Sequence, residues 1–532
     1  MPTLNWVGKD EVLNHNPAYY TLEKKYTFNS KNDTSENMII KGDNLLALKA
    51  LLPQYENKIK CIYIDPPYNT GNENWVYNDN VNSPKIKKWL GEVVAKDDLS
   101  RHDKWLCMML PRLKLLHRLL SDDGVIFISI DDNEMANLKL LCDEVFGGGQ
   151  KNHICNFIWE KKTGSSDAKH IATITEYILC YAKNVENAKL LKNTNSYDTN
   201  RYKLSDEFEN ERGKYYIDNL DRGTLGYHES LDYPIECPDG SIIYPNGRDK
   251  KFNDGWRWKW SRQKTEWGLK NNFIEFRKNK NGKWSVCYKI YMLVNNENNP
   301  IERAAPHKNL IQGILNTHAT TEIKKIFEDI KDKFSTPKPL ALLTRILEIA
   351  TDKNSIILDS FAGSGTTAHA VLELNKKDGG NRKFILIEME DYAENITAER
   401  VKRVIKGYGK EPENSATGGD FSFYELGDRL LEENGNLNEN ISIEKIREYI
   451  YFSETKEKCE QKGSDFLGEC NGVTYYFIYK KDDITTLDFE YLAKLKKASS
   501  YVIYADVCVL SDETMMKYNI TFKKIPRDIK KV

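Results

Sequence analysis

The sequence predicts an α/β protein whose core is a doubly wound parallel sheet. Short apolar runs alternate with amphipathic stretches over residues 1–185, and the same alternation returns over residues 331–410. Residues 186–330 between them lack this alternation and are rich in Asn, Lys, Trp and Tyr. We therefore expect a core in two halves, an inserted domain, and a linker with a small α/β module in residues 411–532.

The first half of the core follows from the spacing of its apolar residues. Short apolar runs predict strands at residues 38–40, 59–64, 125–130 and 177–181. Apolar residues three and four positions apart predict helices at residues 45–52, 104–120 and 134–146. Strands that alternate with helices in this way are typical of a parallel sheet covered by helices.

The second half shows the same alternation. It predicts helices at residues 339–349, 366–375 and 393–406 and strands at residues 355–358 and 383–387. A polar stretch follows, and residues 473–526 then read as a small β-α-β module.

Composition excludes several classes of protein. The 532 residues are 40% hydrophobic and 30% charged, and no run of 18 apolar residues occurs, which argues against a fibrous, disordered or membrane-spanning chain. The 10 cysteines include no CxxC pair and the histidines are not clustered, so we expect reduced thiols and no metal site. The sequence does not begin with a secretion signal, and we expect a cytoplasmic protein.

Charge is unevenly distributed along a chain whose net charge is only −1. Residues 241–290 contain 13 Lys and Arg against four Asp and Glu, whereas residues 411–470 contain 15 acidic against six basic residues. The basic stretch lies in the inserted domain, where it favours contact with a polyanion.

The first motif that carries chemistry is the strand 59–64 followed by Asp65, Pro66, Pro67 and Tyr68. Proline lacks an N–H group and fixes φ, so this turn holds carbonyls and a carboxylate at the strand's carboxyl end, where α/β sheets bind ligands. Asp65 and the Pro66 carbonyl could accept the two hydrogens of an exocyclic amine while Tyr68 stacks on the ring. A turn that merely ends the strand is the alternative.

The second motif is a strand, a glycine-rich turn and a helix start, with the candidate residues Asp359, Phe361, Gly363, Gly365 and Thr366. Glycine lets a ligand approach the backbone, and a helix N-terminus offers free N–H groups to a carboxylate. The sequence matches neither GxxxxGK[ST] nor GxGxxG, which disfavours phosphate binding. The next strand ends in Glu388, where doubly wound domains place an acid on ribose hydroxyls. Tight packing alone is the alternative.

Together these motifs resemble those of the amino-group DNA methyltransferases that use S-adenosylmethionine. DPPY is the catalytic motif of that family and FAGSG its methionine-binding motif, and DPPY comes first here, as in the β class. Asp as the first residue of DPPY resembles the adenine-N6 members more than the cytosine-N4 members. Segments at 42–51, 65–79, 122–134 and 374–388 look like the modification (Mod) subunits of Type III restriction-modification systems.

The resemblance implies a Rossmann-like methyltransferase core and a role for each motif residue. Asp65, Pro66 and Tyr68 would contact the target adenine, and Pro67 would shape the turn. Phe361, Gly363 and Gly365 would surround the methionine half of the cofactor and Glu388 would bind its ribose. The other cofactor residues would be Asp359 and Thr366 of the same motif, with Lys338 and Asp43 nearby. Asp43 has an alternative, because it could simply cap the helix that begins near Asn44.

The implied reaction is attack of adenine N6 on the cofactor's methyl group, and a base inside a duplex must first be flipped out. We expect the inserted domain to recognise the target sequence through Arg257, Lys259, Arg262 and Lys264. Arg257 and Lys259 alternate with tryptophans in WRWKW, so the tryptophans could instead form a small core beneath solvated charges.

Other functions remain open at this point: methylation of cytosine N4 or of RNA, or a non-catalytic DNA-recognition subunit with a vestigial methyltransferase fold. The expected partners are double-stranded DNA, a second copy of the chain in a homodimer, and a restriction (Res) subunit as a further candidate.

Overall fold

The computed structural model describes residues 4–70, 88, 91–92, 99–147, 149–164, 170–192, 197–279, 282–328, 336–461, 463–526 and 528–531. The chain divides into two compact units. The main unit is Met1–Leu191 with Lys308–Val532, and the inserted unit is Lys192–His307.

Strands and helices alternate through the main unit. Its strands are β1 Tyr20–Phe28, β2 Met38–Lys41, β3 Ile59–Ile64, β4 Leu120–Ile130, β5 His153–Glu160, β6 Thr175–Ala182, β14 Leu310–Ile311, β15 Ile356–Asp359, β16 Lys383–Glu388, β17 Phe421–Arg429, β18 Phe466–Cys470, β19 Val473–Phe477, β20 Thr486–Leu487, β21 Ser500–Ala505, β22 Val507–Cys508 and β23 Ile520–Lys524. Its helices are α1 Lys9–Leu13, α2 Asn44–Tyr55, α3 Arg101–Leu119, α4 Met135–Val145, α7 Asn316–Ile326, α8 Leu340–Ala350, α9 Thr366–Asp378, α10 Glu399–Lys406, α11 Pro412–Ser415, α12 Ile443–Thr455, α13 Phe489–Lys494 and α14 Asp512–Lys517.

The main unit is built on a ten-stranded sheet with the order β1-β17-β2-β16-β15-β3-β4-β6-β5-β14. The strands from β17 to β4 are parallel to one another, whereas β1 and β6 are antiparallel to their neighbours. From β15 the chain passes through α9 to β16, and from the adjacent β3 it passes through α3 to β4 on the other side. The predicted doubly wound fold is confirmed, and β15 and β3 form its switch point.

Helices cover both faces of this sheet. Leu48 of α2 and Leu113 of α3 share one apolar cluster with Ile62 of β3, and Leu347 of α8 and Val371 of α9 belong to the cluster on the other face. Successive strand residues point to opposite faces. The central strands are therefore mostly apolar on both faces, which is why their sequences predict them clearly.

The predicted domain boundaries need two corrections. The inserted unit is shorter than residues 186–330, because Leu310 and Ile311 pair with β5 and α7 packs on the main sheet. The segment after residue 411 is not simply a linker, because it supplies β17, which lies between β1 and β2. Phe421 and Phe423 of β17 are buried, so this strand is part of the core.

The inserted unit consists of short strands with two helices. Its strands are β7 Tyr215–Asn219, β8 Asp221–Arg222, β9 Ile235–Glu236, β10 Ile242–Ile243, β11 Arg257–Trp258, β12 Ile274–Lys278 and β13 Trp284–Tyr291, and its helices are α5 Glu209–Arg212 and α6 Arg262–Lys270. Strands β12, β13 and β7 form an antiparallel sheet. Trp258 and Trp260 are buried in the aromatic core as the alternative interpretation expects, whereas Trp256 is only half-buried.

The small α/β module after Val473 is confirmed. Strands β19, β21 and β23 are parallel, with α13 and α14 in the two crossovers, and β18 completes the sheet on the β19 side. Glu454 of α12 accepts hydrogen bonds from Lys523 at 2.6 Å and from Tyr504 at 2.6 Å, which attaches the module to the preceding helix.

Within the described residues, none of the helices combines the length and apolarity that crossing a membrane requires.

Candidate active site

The candidate site is a cavity of about 300 Å³ at the carboxyl ends of β3 and β15. Its wall is formed by three segments that are distant in sequence: the DPPY turn, the glycine-rich turn after β15, and Thr336–Lys338 before α8. Asp131, Lys161 and Glu176 complete the side beyond β3. The sheet therefore brings the two motifs, which lie nearly 300 residues apart, into one cavity at the switch point.

The DPPY turn is held rigidly. Trp105 of α3 is fully buried and its indole Nε1 donates to the Pro67 carbonyl oxygen at 2.7 Å. Asn69, which follows the turn, has φ of +58° and is buried. Its amide donates to the Arg101 carbonyl at 3.2 Å and to the buried carboxylate of Glu134. These contacts fix the DPPY turn and the residue that follows it. The Asp65 carboxylate therefore needs no further ordering before a ligand binds.

Asp65 is bound by a lysine. The Lys338 ammonium lies 2.7 Å from both carboxylate oxygens of Asp65 and 4.9 Å from the centroid of the Tyr68 ring. Burial raises the pKa of Asp65 above its usual range, and the positive charge of Lys338 opposes that rise. The structure thus places Lys338, a predicted cofactor residue, directly against the predicted catalytic carboxylate.

Tyr68 faces the cavity and is anchored at its hydroxyl. The hydroxyl donates to Glu176 Oε2 at 3.1 Å, and Glu176 also accepts from Lys161 at 2.8 Å. Burial, followed by the charges of Asp65 and Glu176, raises the pKa of Tyr68 well above 10, so the hydroxyl stays protonated. A neutral ring with a fixed edge is suited to stacking on a planar base.

The glycine-rich turn forms the opposite wall. Asp359 is buried, and its carboxylate accepts from the Phe361 N–H at 3.0 Å and from the Thr367 hydroxyl at 2.5 Å. Gly363 and Gly365 have φ of +53° and +79°, a region that favours glycine. A Cβ atom on Gly365 would lie 3.1 Å from the Thr397 carbonyl, so both conformation and space require glycine there.

Glu388 lies behind this turn. Its carboxylate accepts from the Gly363 N–H at 2.8 Å and from the Glu390 N–H at 3.0 Å. Burial raises the pKa of Glu388 to about 7, and burial likewise raises the pKa of Asp359 to about 7. Glu388 therefore holds the glycine-rich turn in shape, a role that sequence reasoning did not assign to it.

Asp43 is not among the residues that line the cavity. Its carboxylate caps α2 by accepting from the Leu45 N–H at 2.8 Å, and it lies 3.5 Å from the Arg112 guanidinium. The observed contact of Asp43 is therefore that of a helix cap, as the alternative interpretation expects. The neighbouring Asn44 reaches the site instead, since its amide donates to the Ser360 carbonyl at 3.0 Å.

Sequence reasoning missed several residues that support the site. Besides Asn44, they are Trp105, Glu134, Glu176 and Arg400. Arg400 is buried, and it donates to the Ser364 hydroxyl at 2.8 Å and the Thr366 hydroxyl at 2.7 Å at the start of α9. Asn44 and Glu134 lie within the segments GDNLL and DDNE, so the segment resemblance was the one available signal.

The predicted DNA-contact residues lie in the inserted unit, and three of them have acidic partners. Lys259 lies 2.7 Å from Asp218, Lys264 lies 3.2 Å from Glu297, and the exposed Arg262 lies 3.1 Å from Glu266. The fourth, Arg257, is half-buried in β11. Their positive charge is therefore partly compensated within the unit.

The 10 cysteines are free in this structure, and eight of them are buried. Among the described residues, no group of three or more His, Cys, Asp and Glu side chains is arranged to hold a metal ion.

Comparison with known proteins gives the family of the chain. The sequence model of a family described as DNA methylase matches residues 59–399, which contain both motifs. The chain is 33% identical over 431 residues to the Mod subunit of the Type III enzyme StyLTI of Salmonella typhimurium, covering 74% of this chain and 60% of that subunit. It is 32% identical to the EcoPI Mod subunit of Escherichia phage P1, covering 78% and 70%. It is 34% identical to the Type II methyltransferase M.KpnI of Klebsiella pneumoniae, covering 67% and 81%.

The alignments leave part of the relatives unmatched: the chain spans 60% of the StyLTI subunit and 64% of the EcoP15I Mod subunit of Escherichia coli. Among solved structures, the PvuII cytosine-N4-specific DNA methyltransferase shares 13% identity with a TM-score of 0.35, over 73% of this chain and 89% of that one. The family match over residues 59–399 and the identity to M.KpnI and the Mod subunits confirm the predicted relationship, and the chain belongs to the family of DNA methylases.

Proposed function

We propose that the chain is a site-specific DNA methyltransferase that transfers a methyl group from S-adenosylmethionine to N6 of a flipped-out adenine. The observation that carries this proposal is the single cavity shared by the DPPY turn and the glycine-rich turn. Its relatives among Type III Mod subunits support a role as the modification subunit of a restriction-modification system.

The cofactor fits the residues on the β15 side of the cavity. Gly363 and Gly365 have positive φ and carry no side chain, and no side chain of the described residues caps the N-terminus of α9. The Ser360 hydroxyl is buried and has no hydrogen-bond partner among the described residues. Phe361, Gly363 and Thr366 would hold the methionine half, while Glu388 and Asp359 keep the turn in shape.

The chemistry assigns each catalytic residue a task. Held by the glycine-rich turn, S-adenosylmethionine would supply an electrophilic methyl group to adenine N6, and its sulfur would keep the electron pair of the broken bond. Asp65 and the Pro66 carbonyl accept the two N6 hydrogens, which localises the nitrogen lone pair otherwise shared with the ring. Asp65 then takes the proton that N6 loses, and Tyr68 stacks on the base.

Sequencing of native DNA tests this proposal. The chain is expressed in a host that lacks DNA methylation, and modified bases are located by long-read sequencing. N6-methyladenine within one recognition sequence is expected, and an Asp65→Ala chain serves as the matched control. Detection of N4-methylcytosine instead would show that cytosine is the target. Absence of any modified base would favour the non-catalytic alternative.

We further propose that the inserted unit contacts the DNA backbone. Replacing Lys259, Arg262 and Lys264 with Ala should weaken DNA binding and lower its salt dependence, by about one unit of slope per lost phosphate contact. Because each residue has an acidic partner, we expect Arg262, the most exposed of them, to contribute most. Affinities measured at several salt concentrations give the slope.

A matched control replaces Lys496, Lys497 and Lys517, three exposed lysines of the C-terminal module. It should leave the salt slope unchanged. A change of the salt slope only in the control would show that the C-terminal module, and not the inserted unit, contacts DNA.

We also propose that the chain forms a homodimer, with a Res subunit as a further partner. The support is the C-terminal module, where Ile484, Phe489 and Met516 are 71%, 62% and 76% exposed. Apolar side chains that together form an exposed patch mark protein contact surfaces, and we propose that these three belong to one. Light scattering should give twice the monomer mass, and Phe489→Ser with Met516→Ser should give a monomer. A wild-type chain that is monomeric and fully active contradicts the dimer.

A further inference from the structure

Lys49, in the middle of α2, is a buried lysine without an acidic partner in the part of the chain that the structure describes. The residue is 3% exposed, and its ammonium donates to the side-chain oxygen of Asn16. It forms no ion pair with any residue that the structure describes. Burying an ammonium group costs several kcal/mol unless a negative charge compensates it. Burial, together with the charges of Arg118 and Lys456, lowers the pKa of Lys49 to about 7.

A second cavity of about 120 Å³ lies beside this ammonium. It is separate from the candidate active site, since no residue lines both cavities. Arg429 at the end of β17 and Lys531 add two further cationic side chains to its wall. The Arg429 Nε atom is buried and has no hydrogen-bond partner among the described residues. The cavity thus offers the Arg429 Nε–H, which lacks an acceptor among the described residues, and the Lys49 ammonium, which has only the neutral Asn16 as its hydrogen-bond partner there.

The acidic side chains in the wall of the second cavity do not cancel its positive charge. Glu432 and Glu433 also line the cavity, but both are exposed, so water and salt screen their carboxylates more than they screen the buried Lys49. The volume is well below the roughly 300 Å³ that a drug-sized ligand needs. A small anion with several acceptor oxygens fits the size, the charge and the unsatisfied donors.

We propose that this second cavity binds a tetrahedral oxyanion, either free phosphate or the terminal phosphate of a nucleotide, through Lys49 and Arg429. The anion would supply the missing negative charge for Lys49 and an acceptor for the Arg429 Nε–H. Binding would also stabilise the main unit, because the cavity joins α2 to the end of β17 and to Tyr449 of α12.

Thermal unfolding of the full chain in phosphate tests this site, with chloride of equal ionic strength as reference. Phosphate at ten times its dissociation constant should raise the unfolding temperature of the wild type by roughly 2 °C. Lys49→Met should lose this rise, and Lys58→Met, which removes an exposed lysine just after α2, should keep it. Because phosphate also stabilises proteins non-specifically, the readout is the difference between wild type and Lys49→Met.

Two further arms complete the test. Thymidine 5′-monophosphate and thymidine are compared to distinguish the terminal phosphate of a nucleotide from free phosphate. If the cavity accepts a terminal phosphate, the monophosphate should compete with phosphate, whereas thymidine should not. Arg429→Gln should weaken phosphate binding about tenfold, and it serves if Lys49→Met fails to fold. Equal stabilisation of wild type, Lys49→Met and Arg429→Gln, or none in the wild type, would overturn the proposal.

Discussion

Asp65→Ala should abolish methyl transfer to DNA and leave binding of S-adenosylmethionine intact. Asp65 belongs to the DPPY turn, and its carboxylate is bound by Lys338 from the segment before α8, whereas the glycine-rich turn would hold the cofactor. Removing one preorganised group at a reacting atom costs on the order of 1,000-fold in rate. Incorporation of labelled methyl groups measures transfer, and calorimetric titration measures cofactor affinity. Transfer within about tenfold of the wild type would exclude this role.

Gly363→Val is the matched control, because it should weaken the cofactor binding that Asp65→Ala should leave intact. Valine is disfavoured at φ of +53°, and the side chain would enter the turn whose N–H is bound by Glu388. We expect cofactor affinity to fall at least about tenfold while the DNA binding that we propose for the inserted unit persists. Unchanged cofactor affinity would show that the glycine-rich turn is not the cofactor site.

The sequence predicts the central strands well and the outer strands poorly, and burial explains the difference. Strands β3 and β16 are covered on both faces, so they appear as continuous apolar runs. Strands β1 and β17 pair at one end of the sheet and carry many half-exposed polar residues. The Phe421–Arg429 strand also lies in the acidic stretch, where composition suggested a linker.

The sequence predicts where the two motifs of the site meet, but it does not predict the side-chain contacts between them. Asp65 and Gly363 each follow a strand, and the rule that ligands bind at the carboxyl ends near the switch point brings them together. The contact of Lys338 with Asp65 and that of Glu134 with Asn69 join side chains from separate elements. Such contacts depend on how helices pack on the sheet, which no local pattern records.

The contact between Lys338 and Asp65 leads to a second large expected effect. The ammonium lies 2.7 Å from both carboxylate oxygens, and it is the charge that holds the pKa of Asp65 down against burial. Without it, the pKa of Asp65 should rise further, and a larger fraction of the carboxyl groups is neutral at pH 6. A neutral carboxyl group has lost one acceptor position and cannot take the N6 proton.

Lys338→Met should therefore make methyl transfer more sensitive to acid. We expect the ratio of activity at pH 8 to activity at pH 6 to increase about tenfold over the wild type. Lys338→Arg keeps the charge and should keep the wild-type ratio. Lys161→Met removes the other cavity lysine, which binds Glu176, and serves as the matched control. If Lys338 acted on the cofactor alone, Lys338→Met would raise the KM for the cofactor equally at both pH values and leave the ratio unchanged.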